Sequence, residues 1–176
     1  MNDNSDTDST DFATPIPAFR RFRKNKWPGQ LLTFDPGETT GWSLWEDGHL
    51  EQCGQLDTDD VPQAALLLAD FFDVYNFVHE HKYQCYVVIE EYRIYSWKTE
   101  SHAWKDIHTI RLIGAIEAIL AMRGLEDRYQ MCGAGLAKTF ATDEMLKSWG
   151  FWKPNRRHAR DAIRHGCYYY ATEPPK

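Results

Sequence analysis

The sequence predicts an α/β fold, a mixed five-stranded sheet flanked by helices, and three observations carry that expectation. Leu31-Leu32-Thr33-Phe34 and Tyr86-Val87-Val88-Ile89 are short apolar runs of the kind that form strands buried on both faces, often parallel ones. Between and after them lie longer stretches whose apolar residues recur every three or four positions, the stripe of amphipathic helices. Each apolar run also stops on an acid, Asp35 and Glu90. Neighbouring parallel strands end at the same sheet edge, so the two carboxylates are expected side by side in the crevice where open α/β sheets place ligands. Paired carboxylates repel each other, and such a site needs a divalent cation or a shared proton.

The elements follow in order. Leu31 to Asp35 is the first strand, closed by a tight turn through Pro36-Gly37-Glu38, and Trp42-Ser43-Leu44-Trp45 is the second. Glu46-Asp47-Gly48-His49 carries hairpin chemistry, and Leu50 to Leu56 alternates as a third strand, completing an antiparallel meander. From Val61 to about Lys82, Ala64, Leu67, Leu68, Phe71, Phe72, Tyr75 and Val78 mark an amphipathic helix with Pro62 in its first turn. Tyr86 to Glu90 returns as a buried strand, reached by a crossover. Ser101 to Arg123 is again helical, through Ile107, Ile110, Ile113, Gly114, Ile116 and Leu120. Tyr129 to Met131 forms a last strand, Thr142 caps a short helix through Trp149, and Asn155 or a neighbour caps a final helix reaching about Tyr170. The order βββαβα(β)α, with the short helix set before the final one, is the organisation of the ribonuclease H-like fold.

The chain of 176 residues fits one domain over residues 30–172, preceded by a disordered tail over residues 1–29. That tail is acidic first, through Asp3, Asp6, Asp8 and Asp11, then basic, through Arg20-Arg21-Phe22-Arg23-Lys24-Asn25-Lys26. A net charge of −6 excludes a simple basic glove for nucleic acid. Positive charge is instead local: besides the tail it gathers at Lys147, Lys153, Arg156, Arg157, Arg160 and Arg164. Cys53, Cys85, Cys132 and Cys167 form no C-x-x-C pair, so neither a zinc knuckle nor a disulfide framework is indicated. No apolar stretch approaches the ~20 residues that span a bilayer. These features fit a reducing, intracellular setting and no membrane partner.

Candidate chemistry gathers on the last helix, in Arg156-Arg157-His158-Ala159-Arg160-Asp161-Ala162-Ile163. His158 and Asp161 are three apart and share one helix face. If Ala159, Ala162 and Ile163 pack that face onto the sheet, Asp35, Glu90, His158 and Asp161 converge. Three carboxylates and an imidazole suit Mg²⁺ or Mn²⁺, and two such ions roughly 4 Å apart hydrolyse phosphodiesters by in-line displacement. Taken singly, each residue could equally be a helix cap, a salt bridge or a surface acid. Glu91 projects to the opposite side of its strand and is assigned no catalytic role.

Leu32-Thr33-Phe34-Asp35-Pro36-Gly37-Glu38-Thr39-Thr40-Gly41-Trp42, Ile89-Glu90-Glu91-Tyr92 and His158-Ala159-Arg160-Asp161-Ala162 resemble, in order and spacing, the three acidic motifs of RuvC-type Holliday junction resolvases, in particular their phage-encoded branch. The resemblance spans about residues 31–170. It implies a metal-dependent, structure-selective DNA endonuclease that resolves four-way junctions, with Asp35, Glu90, His158 and Asp161 as catalytic metal ligands for Mg²⁺ or Mn²⁺. Many relatives carry Asp where His158 stands. By the same resemblance Lys138 sits where such enzymes often have a basic DNA-contacting residue, and a phage-encoded enzyme would work in the host-cell cytoplasm.

Cutting two opposed strands calls for two active sites related by a twofold axis, hence a homodimer. The face of the Ser101–Arg123 helix carrying Gly114 and Ala118 is the candidate dimer element, with packing on the sheet as its alternative. Arg156, Arg157 and Arg160 are candidate phosphate contacts, and Tyr92, Tyr95 and Trp97, after the second acid, are placed to stack on unpaired bases. Asp35 to Gly41 also resembles the phosphate loop of actin-like ATPases and sugar kinases, but their nucleotide lies between two such domains and this chain has room for one. The remaining alternatives are a related nuclease acting on forks, flaps or RNA-DNA hybrids, and a non-catalytic junction-binding protein.

Overall fold

The computed structural model describes residues 29–74, 85–93 and 103–172. All of the expected tail except Gly29, together with Tyr75, Val78, Tyr95 and Trp97, lies outside them. The elements are β1 (Gln30–Asp35), β2 (Thr39–Glu46), β3 (His49–Asp57), α1 (Val61–Val74), β4 (Cys85–Glu91), α2 (Ala103–Met122), β5 (Tyr129–Gly133), α3 (Ala134–Phe140), α4 (Asp143–Ser148) and α5 (Arg157–Thr172). Five strands form one mixed sheet in the order β3-β2-β1-β4-β5. The first three are antiparallel, whereas β1 pairs with β4, and β4 with β5, in parallel. This is the ribonuclease H-like arrangement the pattern predicts.

The meander turns where its residues require it. Asp47 and Gly48 both have positive φ, 48° and 83°, the backbone of a two-residue hairpin whose twist matches the flanking strands. The β1–β2 turn is stapled by side chains: Thr58 Oγ1 donates to Gly37 O at 2.6 Å and bonds Thr40 Oγ1 at 2.7 Å. These threonines are fully buried, so the loop that resembles a phosphate cradle spends its hydroxyls on its own shape. The carboxyl end of β1 is fixed as a result.

Strand alternation sorts the core into two layers. Leu32, Phe34, Trp42, Leu44, Val87 and Ile89 face Leu68, Phe72, Leu112, Ile116 and Leu120 of α1 and α2. On the other face Leu31, Trp45, Tyr86 and Val88 meet Ile163, Cys167 and Tyr170 of α5, with Ala137, Leu146 and Phe151 closing the edge. Burial of each large apolar side chain contributes about 1.5–3 kcal/mol, so both faces hold the sheet. Because odd positions of β1 and even positions of β4 look toward α5, Asp35 and Glu90 end up on the α5 face.

Helix α5 approaches the sheet unusually closely, and small residues permit it. A Cβ on Gly41 would lie 1.9 Å from His158 O, and one on Gly166 would lie 2.3 Å from Trp45 Nε1. A buried polar chain fills the same seam. Thr33 Oγ1 donates to Ala162 O at 2.7 Å, which uses its one proton, so Ser43 Oγ donates to Thr33 Oγ1 at 2.6 Å and Trp45 Nε1 donates to Ser43 Oγ at 2.8 Å. Every donor in the chain is satisfied, which is what makes polar groups tolerable at that depth.

The last strand, the helix after it and the start of the last helix differ from expectation. The strand expected over Tyr129 to Met131 runs on to Gly133, and α3, which follows at once, is absent from the sequence reading. Gly135 depresses helix propensity there, and buried Ala137 within the α5-side core supplies what propensity does not. The last helix begins at Arg157, because Asn155 adopts φ 58° and so stands outside it. Its first-turn His158 N–H is satisfied from β3, by Gln55 Oε1 at 3.1 Å, in place of a local cap. Thr142 does cap α4, accepting from Met145 N at 3.3 Å.

Gly41→Ala is expected to destabilise the protein by about 1–3 kcal/mol or more, as overpacking does, because its methyl meets backbone that cannot move without lifting α5. Gly135→Ala, whose added Cβ meets nothing within 4 Å, is the control and should be neutral or stabilising. Urea unfolding of both variants checks this, and equal midpoints would contradict the tight seating of α5.

Candidate active site

The first two acids are brought together by strand register. Parallel pairing aligns Thr33 with Val88 and Phe34 with Ile89, so Asp35 and Glu90 are the next pair at the carboxyl edge of the sheet. The third acid, Asp161, comes from the second turn of α5, and His158 from its first. His158 Nδ1 lies 2.8 Å from Asp35 Oδ2. The electrostatic coupling of Asp35 to Glu90, Asp161 and His158 places all four expected residues in one locus. The adjacent acid, Glu91, turns away to Arg93 Nε at 2.9 Å.

Each acid is engaged by a basic partner, and two of these partners had not been singled out from the sequence as site residues. His165 Nε2 lies 2.8 Å from Glu90 Oε2. Asp161 pairs through Oδ1 with Arg164 Nη1 and through Oδ2 with Lys138 Nζ at 3.3 Å. Arg164 also donates from Nε to Ala141 O at 2.9 Å and pairs with Asp143. The sequence holds one signal for these partners. His165 stands seven residues beyond His158, and Arg164 three beyond Asp161, spacings that return to one helix face. Glu90, the partner of His165, however, lies on a strand 75 residues away in the chain, and Arg164's further anchors lie on other helices.

Burial and charge set the protonation of the acids in opposite directions. The Asp35 carboxyl is pushed up to about 6 mainly by burial, reinforced by the charges of Glu90 and Asp161 and opposed by the His158 hydrogen bond. Glu90 is buried too, which by itself would raise it, but the His165 hydrogen bond and charge, with Lys138, hold it below the usual carboxylate range. One acid of the pair thus protonates readily while the other stays ionised. His158 is raised by its bond to Asp35. Burial would lower His165, yet its proximity to Cys132 and Glu90 holds the imidazole up to about 9. His165 Nδ1 makes no hydrogen bond among the described residues, while Nε2 is directed at Glu90.

Among the described residues, no three His, Cys, Asp or Glu side chains are drawn into a metal-holding group, since the acids are turned to Lys138, Arg164, His158 and His165. The donor chemistry nevertheless fits a hard divalent cation: Asp35, Glu90, Asp161 and His158 offer carboxylate oxygens and an imidazole. Asp35 is buried with Glu90 and Asp161 close by, a grouping of acids whose charge such an ion would offset.

The expected DNA-contacting residues are dispersed around this locus. Lys138 stands on α3 with its side chain 42% exposed. Arg156 and Arg157 are exposed at the start of α5. Arg160 is half-buried, its guanidinium 4.3 Å from the Trp152 ring centroid and its Nη1 donating to Lys153 O at 2.7 Å. Tyr92 is partly exposed beyond β4. Among the described residues nothing covers the expected dimer face: Gly114 is exposed with nothing within 4 Å of an added Cβ, and Ile107, Ile110 and Met122 are exposed on the same helix. No helix among the described residues is long and apolar enough to cross a membrane.

No protein-family model matches the chain, and no curated protein matches it. Solved structures do. T. thermophilus RuvC in complex with a Holliday junction substrate superposes with a TM-score of 0.59 at 14% sequence identity, covering 82% of this chain and 99% of that one. Another Thermus thermophilus RuvC structure gives 0.55 at 14% identity, covering 80% of this chain and 94% of that one. At this identity the likeness is one of fold, and it establishes a RuvC-like architecture.

The folded state holds the Asp35 proton more tightly than the unfolded chain does, so this group costs stability as pH rises from 3.8 through about 6. In protein stripped of metal by EDTA, Asp35→Asn is therefore expected to gain about 1–3 kcal/mol at pH 8, a gain that vanishes below pH ~4. Urea unfolding at the two pH values checks it. An Asn variant less stable than the parent at pH 8 would show that the His158 pair outweighs burial.

Proposed function

We propose that this chain is a metal-dependent, structure-selective DNA endonuclease that resolves four-way junctions by paired phosphodiester hydrolysis. The observation that carries this reading is the convergence of Asp35 and Glu90, from the ends of two adjacent parallel strands, with Asp161 and His158 of α5, in a fold shared with a RuvC in complex with a Holliday junction substrate. Nothing in the fold requires three acids at that depth. Buried like charges cost stability and are kept where chemistry needs them.

In this reading Asp35, Glu90, Asp161 and His158 hold Mg²⁺ or Mn²⁺. Ions held there supply water activation and stabilise charge on the leaving oxygen. The chain's own groups do the rest. His165 keeps Glu90 ionised and oriented, and Lys138, loosely held at 3.3 Å from Asp161, releases that carboxylate and turns to a DNA phosphate. Arg156 and Arg157, exposed beside His158, bind the flanking backbone, so junction affinity falls steeply with salt. Local basic residues thereby serve a chain whose net charge is −6.

Asp35→Asn and Glu90→Gln are expected to lower cleavage of a synthetic four-way junction at least 10³-fold, the scale of losing a principal charge-stabilising group, while junction affinity stays within a few-fold. The assay includes matched duplex, fork and flap substrates. Substantial cutting by both variants would overturn the site assignment, and faster cutting of forks or flaps than of junctions would overturn the substrate.

Paired cutting requires two copies, and the outward face of α2, with Ile107, Ile110, Gly114 and Met122 exposed, is the surface we assign to the twofold contact. Ile110→Glu is expected to convert a dimer to a monomer by light scattering and to leave, at most, single nicks in the junction. A parent protein that is monomeric both free and on junction DNA would favour a fork or flap nuclease instead.

A further inference from the structure

All three acids of the site are gripped by side chains of one helix. His158 holds Asp35, His165 holds Glu90 and Arg164 holds Asp161. Of these grips, only Arg164 is anchored on three sides. Its Nε donates to the main-chain oxygen of Ala141, where α3 ends. Its Nη2 pairs with Asp143, in the first turn of α4, and its Nη1 with Asp161. Both Arg164 and Asp161 are buried, and a guanidinium fork engaged at each nitrogen has no rotamer to exchange into. The other oxygen of Asp161 faces Lys138, whose side chain is 42% exposed and free to leave for solvent or phosphate. Asp161 therefore has one oxygen fixed by a buried, triply bonded cation and one oxygen covered by a replaceable one.

We infer that Arg164 is a positioning residue that locks Asp161 through Oδ1 to the α3–α4 corner, so that Oδ2 alone is presented for metal binding when Lys138 departs. This rests on the reading of Asp161 as a metal ligand proposed above. A carboxylate ligand whose outer oxygen is fixed by a hydrogen-bonded partner has its direction set before the metal arrives, and loss of such a partner typically weakens metal affinity or activity about 10–100-fold. Arg164 touches neither substrate nor metal in this arrangement. It acts through Asp161.

Arg164→Lys keeps the charge but cannot reach Ala141 O, Asp143 and Asp161 together. The full-length protein, its fold verified by circular dichroism and thermal melting, is titrated with Mn²⁺ by calorimetry without DNA, beside Asp161→Asn and Asp143→Asn. Arg164→Lys is expected to weaken Mn²⁺ binding about 10–100-fold. It should lower kcat on the junction without changing KM, with saturating Mn²⁺ restoring part of the loss. Asp143→Asn, which removes one of the three anchors from the partly exposed side, should weaken Mn²⁺ binding several-fold and keeps the test open should the lysine variant fail to fold. If Asp161→Asn abolishes Mn²⁺ binding while the Arg164 and Asp143 variants bind it as the parent does, the positioning role is overturned and the metal-site reading stands. If Asp161→Asn itself leaves Mn²⁺ affinity unchanged, the metal-site reading is overturned and this inference with it.

Discussion

The seating of α5 on β1 and β2 is the contact on which the rest of the molecule depends. Gly41 lies directly beneath His158 O, Gly166 beneath the Trp45 indole, and Thr33 donates to Ala162 O between them. A glycine at each point of closest approach lets backbone meet backbone or ring without a Cβ between, and the hydroxyl chain fixes how far along the sheet the helix sits. Two turns of α5 then project over the edge where β1 and β4 end. If the helix shifted by one residue, each side chain on it would rotate by about 100°, and no acid of the strands would meet its basic partner.

The electrostatics of the site follow from that placement. Three carboxylates are taken from water at one edge, and burial resists their ionisation. Asp35 shows the cost, with its carboxyl raised to about 6, whereas Glu90 is held ionised by His165. The same helix that supplies Asp161 supplies the imidazoles and the guanidinium, so the basic partners arrive with the acid as one rigid unit. Where both members are buried, as in Arg164 and Asp161, removing one leaves an uncompensated charge, typically at a cost of about 3–5 kcal/mol. That pair is thus kept together by the penalty for separating it.

The exposed stripe of α2 shows how a single pattern can serve two ends. Ile116 and Leu120 are fully buried against the sheet, while Ile107, Ile110 and Met122 on the opposite side are exposed. A helix apolar on both sides needs a second surface to cover it. In this chain the small residues Gly114 and Ala118 lie on the uncovered side, so they do not serve the packing of α2 on its own sheet.

The strands, the Asp47-Gly48 hairpin, α1 as far as it is described, α2, the Thr142 cap of α4 and the four acid-motif residues were legible in the sequence, because alternation, helical spacing and turn chemistry are local signals carried by neighbouring residues. The sequence also determined that Asp35 and Glu90 close adjacent strands, since an acid at the end of a buried apolar run has few other places to go. It did not reveal α3, whose Gly135 argues against a helix and whose stability comes from packing around Ala137. Nor did it reveal that Arg164 and His165 belong to the site. On a basic, polar helix they read as two more charges. Only the tertiary structure decided that His165 grips Glu90 and that Arg164, while holding Asp161 within its own helix, is fixed to Ala141 O and Asp143, because those contacts depend on the depth and register at which α5 docks, and that is set by contacts more than a hundred residues apart in the chain.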